Sequence, residues 1–186
     1  DTCEQGPVRV VVVREAGDTK EIRTYVGGRW RADTGITDLG VVSAVTAGAW
    51  LLQQAERGAD RPARGALTAA TLADSVDAAT TLLRIAKNDS RSQDVKSNAV
   101  NWLGELVGDR VSGTLDSIAY EPGDRELRRT AINTISRRPA DEAVPALIKM
   151  AESLPDKELR RTAVQALARI TDARAIAWIA GKVGRP

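Results

Sequence analysis

The chain has 186 residues, enough to bury a substantial core as one domain or as an array of small units. It holds one cysteine and no histidine, which removes an internal disulfide, Ser-His and Cys-His triads and the commonest zinc ligand. The net charge of +2 is unevenly placed: residues 124–186 carry 13 Lys and Arg against 8 Asp and Glu, and residues 1–123 carry 14 against 17. The basic tail can orient the chain on an acidic partner, but it lacks the excess charge of a general nucleic-acid binder.

No run of about 18 apolar residues occurs, so no segment is expected to span a bilayer. The chain opens on Asp1 rather than Met, and processing after export is expected, with a trimmed segment as the alternative. Cys3 leaves three states open: free, paired with a residue outside this segment, or bonded to another chain.

The first expected element is a β-hairpin. Val8, Val10 and Val12 alternate with Arg9, Val11 and Val13 in a β-branched run, and Glu21 to Val26 forms a second strand. Gly17-Asp18 supplies turn chemistry between them, and Gly27-Gly28 closes the unit. The glycine pair is not a phosphate loop, because no Lys-Ser or Lys-Thr follows and no helix is expected there. Trp30, flanked by Arg29 and Arg31, is expected to be a partner contact or a membrane-interface anchor.

From Ser43 the period becomes helical. Ser43 is a cap, and Val45, Ala49, Leu52 and Ala55 share one face of a helix ending near Gly58. Residues 59–65 read as a loop or a helix start, followed by short helices over Ala66 to Ala73 and Asp77 to Lys87, separated at Asp74-Ser75. Asp74, Asp77 and Asp89 fall at cap or loop positions and make no carboxylate pair.

Three windows then superpose at a spacing of 32: SQDVKSNAVNWL from Ser92, DRELRRTAINTI from Asp124 and DKELRRTAVQAL from Asp156. Their apolar columns are Val95, Leu127 and Leu159; Ala99, Ala131 and Ala163; Val100, Ile132 and Val164; Leu103, Ile135 and Leu167. The spacing i, i+4, i+5, i+8 is one helix face, with Ser or Asp as N-cap and Glu126 or Glu158 in the first turn. Each window is followed by a break and a second apolar helix, through Leu115, Ile118 and Ala119, then Leu147, Met150 and Ala151, then Ile176, Ile179 and Val183. Leu82, Ile85 and Ala86 read as the second helix of a degenerate earlier repeat. Two helices per 32 residues without a strand is the pattern of an α-solenoid.

At Asp124, Glu126, Leu127, Arg128 and Ala131, and again at Asp156, Glu158, Leu159, Arg160 and Ala163, the chain resembles bacterial HEAT-like repeat proteins with the motif D-x-E-(hydrophobic)-R-x-x-A. The match is weaker at Asp94, Val95, Lys96 and Ala99, and the resemblance covers roughly residues 60–183. The strings YVGGRW, ATLADS and NAVNWLGE resemble exported bacterial HEAT proteins with a small amino-terminal region. The chain is thus expected to be mainly α: a hairpin and connecting segment over residues 1–42, then a HEAT-like solenoid of about three to four helix pairs over residues 43–186.

The conspicuous charged candidates are Arg128, Arg129, Arg160 and Arg161, with Arg137 and Arg138. They read either as a cationic stripe that grips phosphate or an acidic protein surface, or as solvated positions whose arginines meet the acidic caps of a neighbouring repeat. Trp102 and Trp178 are expected to be partly buried. The function expected is a non-catalytic scaffold without cofactor or metal that binds protein subunits of a larger, membrane-embedded complex. The resemblance implies an extrinsic subunit at the periplasmic face, with photosynthetic reaction-centre and antenna assemblies as the candidate partner and a cytoplasmic location as the alternative. A nucleic-acid-binding or repair protein is the rival reading, although six aromatic residues offer little base stacking. An enzyme of the HEAT-like chromophore lyase kind is a third, disfavoured by the absence of histidine.

Overall fold

A computed structural model of the protein describes residues 7–27, 35–73, 76–106 and 109–183. The chain divides into two compact units, Asp1–Asn98 and Ala99–Pro186. The described residues form two strands and nine helices, a mainly helical fold preceded by a hairpin as expected.

In the first unit, β1 (Val8–Glu15) and β2 (Asp18–Val26) pair antiparallel. The turn residues are Ala16 and Gly17, one position earlier than expected, and Asp18 begins β2 opposite Glu15. Both turn residues have positive φ, 49° and 90°, which matches the twist of the flanking strands. Val13 pairs with Glu21 and Arg14 with Thr19, so Lys20 is bulged. Ile22 is buried, and the hairpin rests through β2 on α2 (Asp60–Thr71). At Gly65 of α2 a Cβ would collide with the Ile22 carbonyl oxygen, so only glycine permits this approach.

Helix α1 (Ala44–Arg57) starts where the cap signal places it, with the Ser43 hydroxyl accepting from the Thr46 N–H at 3.2 Å. Its buried side is Gly48, Leu51 and Ala55, whereas Val45 is 62 % exposed and Ala49 is exposed too. The expected face is therefore rotated. Gly48 and Ala55 are small enough for close approach, and a Cβ at Gly48 would strike the Val76 side chain. Helix α2 begins at Asp60, earlier than Ala66, because Pro62 is tolerated in a first turn where its missing N–H has no helical partner. Helix α3 (Ala79–Ala86) buries Leu82, Ile85 and Ala86 as expected. The Asp74-Ser75 break lies outside the described residues.

The 32-residue windows are α4 (Gln93–Glu105), which contains the boundary between the units, α6 (Arg125–Ile135) and α8 (Lys157–Leu167). Their second helices are α5 (Asp109–Tyr120), α7 (Ala140–Ser153) and α9 (Ala173–Val183). All four apolar columns are buried except at Val164, which is half-buried. Each fully buried Leu, Ile or Val contributes about 1.5–3 kcal/mol of transfer free energy, so the columns explain why the hexamer ELRRTA recurs. Asp124 accepts from the N–H groups of Glu126 and Leu127 at 2.8 and 3.3 Å, and Asp156 accepts from Glu158 and Leu159 at the same distances. Within the second unit α6 packs on α5, α7 and α8, and α9 on α7 and α8.

Leu115, Ile118, Ala119, Leu147 and Met150 are buried on the second helices, and Ala151 is half-buried. On α9 the expected face is corrected: Ala175 is buried, Ile176 is 59 % exposed and Ile179 is half-buried. Helix α9 has neighbours on its Ala175 side, and no described element covers Ile176.

Candidate functional site

The two arginines of each ELRRTA have different environments. Arg128 turns back from α6 and its Nε donates to the Ala119 carbonyl near the end of α5, at 3.0 Å. Arg160 does the same from α8, donating to the carbonyls of Leu154 and Pro155, after α7, at 2.5 and 3.0 Å. A helix end leaves carbonyls without helical partners, and a cation there also opposes the negative end of the helix dipole. Lys96, at the equivalent position of the first window, is 5 % exposed, with Nζ 3.6 Å from Asp89. The first arginine of each ELRRTA thus holds its own chain at the preceding helix end, and Lys96 meets a loop carboxylate of its own chain.

The second arginine faces outward. Arg129 donates to Glu126 one turn earlier on α6. Arg161 is exposed, and its side chain has no hydrogen bond or ion pair among the described residues. Between α6 and α8 lies an open groove of about 500 Å³ that includes Arg129, Arg161, Asn133, Gln165 and Arg169. Its walls are built from equivalent positions 32 apart: Glu126 and Glu158, Arg129 and Arg161, Asn133 and Gln165. Arg125 and Arg169 bring the arginines to four, against the two glutamates. Arg169 is exposed and, like Arg161, has no side-chain partner among the described residues.

From the start of α6, Arg125 donates to Asp156, the cap of α8, at 2.8 Å, so an acidic cap of one repeat meets an arginine of its neighbour. Burial works against the Asp156 carboxylate. The N–H groups of Leu159 and Glu158 and the Arg125 guanidinium outweigh it and hold its pKa below the ordinary 3.8. Arg137 is exposed, and Arg138 is half-buried. Trp30, Arg29 and Arg31 lie outside the described residues, as does Cys3.

Trp102 and Trp178 are half-buried as expected. The Trp178 indole N–H donates to Glu152 at 3.0 Å, and Lys182 stands over the ring at 5.2 Å while pairing with Glu152 at 3.3 Å. This cluster ties α9 to α7 through its own partners. Among the described residues no group of three or more Cys, Asp or Glu is placed to hold a metal, and no helix is long and apolar enough to cross a membrane.

Residues 117–181, from the end of α5 into α9, match the family model for HEAT repeats. No curated protein matches the chain. The matched stretch contains both ELRRTA copies and the whole groove. Arg125, Asn133, Gln165 and Arg169 are groove residues that stand outside the repeated hexamer. The 32-residue spacing carries their signal, since Arg137 and Arg169 are equivalent positions, as are Asn133 and Gln165.

Proposed function

We propose that the chain is a non-catalytic HEAT-repeat scaffold whose α6–α8 groove holds an acidic segment of a protein partner. The observation that carries this reading is the pair of exposed arginines, Arg161 and Arg169, whose side chains have no partner among the described residues, on a wall repeated from one helix to the next. Equivalent positions at a fixed spacing suit an extended chain better than a compact small molecule. Guanidinium groups give carboxylates paired hydrogen bonds, and the amide side chains of Asn133 and Gln165 can serve a backbone.

The phosphate-gripping alternative is weakened because Arg128 and Arg160 are occupied by carbonyls of their own chain. Fluorescence anisotropy separates the two readings. A labelled 12-residue Asp/Glu peptide, a matched Lys peptide and a 20-base-pair duplex are titrated at about 50 and 200 mM salt. The scaffold reading expects saturable binding of the acidic peptide alone. Duplex binding with a steep salt slope and no peptide binding would replace it with the nucleic-acid reading.

The finer reading is a subunit extrinsic to a membrane complex on the periplasmic face, with a photosynthetic reaction-centre and antenna complex as candidate. Its support is the resemblance of YVGGRW, ATLADS and NAVNWLGE to exported HEAT proteins. Release of the native chain from washed membranes by salt, together with co-purifying membrane subunits, is the expected result. Recovery in the cytosolic fraction alone would contradict it.

A further inference from the structure

The groove of the second unit is polarised along its length. Arg125 at the start of α6 reaches Asp156 at the cap of α8, so the two helices begin at the same end of the groove. Equivalent positions therefore follow in the same order on both walls: Glu126 and Glu158, then Arg129 and Arg161, then Asn133 and Gln165. On the α6 side each of these cations has an acid, since Arg125 pairs with Asp156 and Arg129 with Glu126. The α8 side differs. Glu158 is exposed and lines the groove, and its carboxylate has no hydrogen bond or ion pair among the described residues, as is the case for the guanidinium groups of Arg161 and Arg169. Glu158 and Arg161 stand one turn apart without pairing, unlike Glu126 and Arg129, which leaves both charges to a ligand. Unpaired charge thus runs from negative in the first turn of α8 to positive at Arg161 and at Arg169, just past its end.

We infer that Glu158 is a specificity-determining residue, which selects an acidic segment carrying a cation at the end that lies over the start of α8. The inference rests on the reading of the groove as a site for an acidic protein segment, and it adds the order of the charges. A rise of about 1.5 Å per residue puts Glu158 and Arg161 about 4.5 Å apart along the helix, and Arg161 and Arg169 about 12 Å apart. The backbone keeps helical geometry at Ala168, and the Arg169 N–H donates to the Ala166 carbonyl at 3.1 Å, so the rise holds to Arg169. In an extended chain, side chains on one side recur at about 6.6 Å, once every two residues. The matching segment therefore has Lys or Arg, an acid two positions from it, and a second acid four positions further on. A uniformly charged anion, whether a run of Asp or a nucleic-acid backbone, sets like charge against Glu158 and is disfavoured there.

The test is fluorescence anisotropy on the full chain at low salt, with three labelled peptides of equal composition. Each holds two Glu four positions apart and one Lys, placed two positions before the pair, two positions after it, or midway between. One of the two end-Lys peptides is expected to bind about threefold tighter than the midway peptide, the size of an exposed ion pair. Glu158→Gln should remove that difference and tighten binding of the uniform Asp/Glu peptide, with unfolding curves recorded to show that the variant is folded. Equal affinities for the three peptides, or tighter binding of the midway one, would overturn the inference; if the Asp/Glu peptide still binds, the reading of the groove stands. A preference that survives in Glu158→Gln would overturn it by placing the cation elsewhere. No binding of any of the four peptides would overturn the inference and the groove reading together.

Discussion

Arg160 and Arg161 are neighbours in sequence with opposite duties, and substitution separates them. Arg160→Ala removes a charged donor from two carbonyls and is expected to cost about 1–2 kcal/mol, a figure lowered from a buried charged bond because Arg160 is only half-buried. Arg161→Ala is expected to stay within about 0.5 kcal/mol of wild type. Urea unfolding midpoints read both, and equal effects would contradict the division of roles. Asp172 supplies a second residue-level test. Hydrogen bonds from the Arg174 side chain and backbone N–H hold its carboxyl at about 2, below the ordinary 3.8. A depressed carboxylate contributes stability that is present above 3.8 and lost as pH falls through about 2. Carboxyl NMR should therefore show Asp172 titrating near 2, with Asp172→Asn flattening the stability curve in that window. A midpoint at the ordinary value would show that the Arg174 contacts do not persist in solution.

The helices are held together at positions where a single atom decides the fit. Gly65→Ala places a Cβ against the Ile22 carbonyl oxygen, and the overlap is expected to cost about 1–3 kcal/mol. Hydrogen exchange should then speed up in β1 and β2, with the second unit unchanged; unchanged protection in the hairpin would mean that β2 does not rest on α2. Gly113→Ala is the contrasting case, because nothing stands near its Cβ position inside α5, and it should stabilise by about 0.5–1 kcal/mol. Leu127→Asp puts a charge into a buried column and should unfold the second unit. Most of this was legible in the sequence where helical periodicity and capping coincide. Asp124 and Asp156 announce α6 and α8 through both cap and apolar face. The buried side of α1 was not legible, because it is made of Gly48, Leu51 and Ala55, and glycine carries no hydrophobic signal while Val45 does. Equally hidden were the partners of Arg128 and Arg160, since a carbonyl at a neighbouring helix end leaves no mark on residue type.

At the scale of the molecule, two units present two kinds of surface. The first exposes apolar side chains ahead of α1, with Asp38 the one charged residue from Gly35 to Ala55, and the second carries a polar groove with a cationic excess between its 32-residue repeats. The groove is the site proposed to hold the partner. Its direct measurement is the affinity of the labelled Asp/Glu peptide for wild type and for Arg161→Glu/Arg169→Glu, at low salt, with unfolding curves recorded in parallel. Reversing two exposed arginines should weaken binding at least tenfold, about 1.4 kcal/mol or more, while the unfolding midpoint stays unchanged. An affinity equal to wild type, with the double variant folded, would show that the groove between the two ELRRTA helices is not where the partner binds.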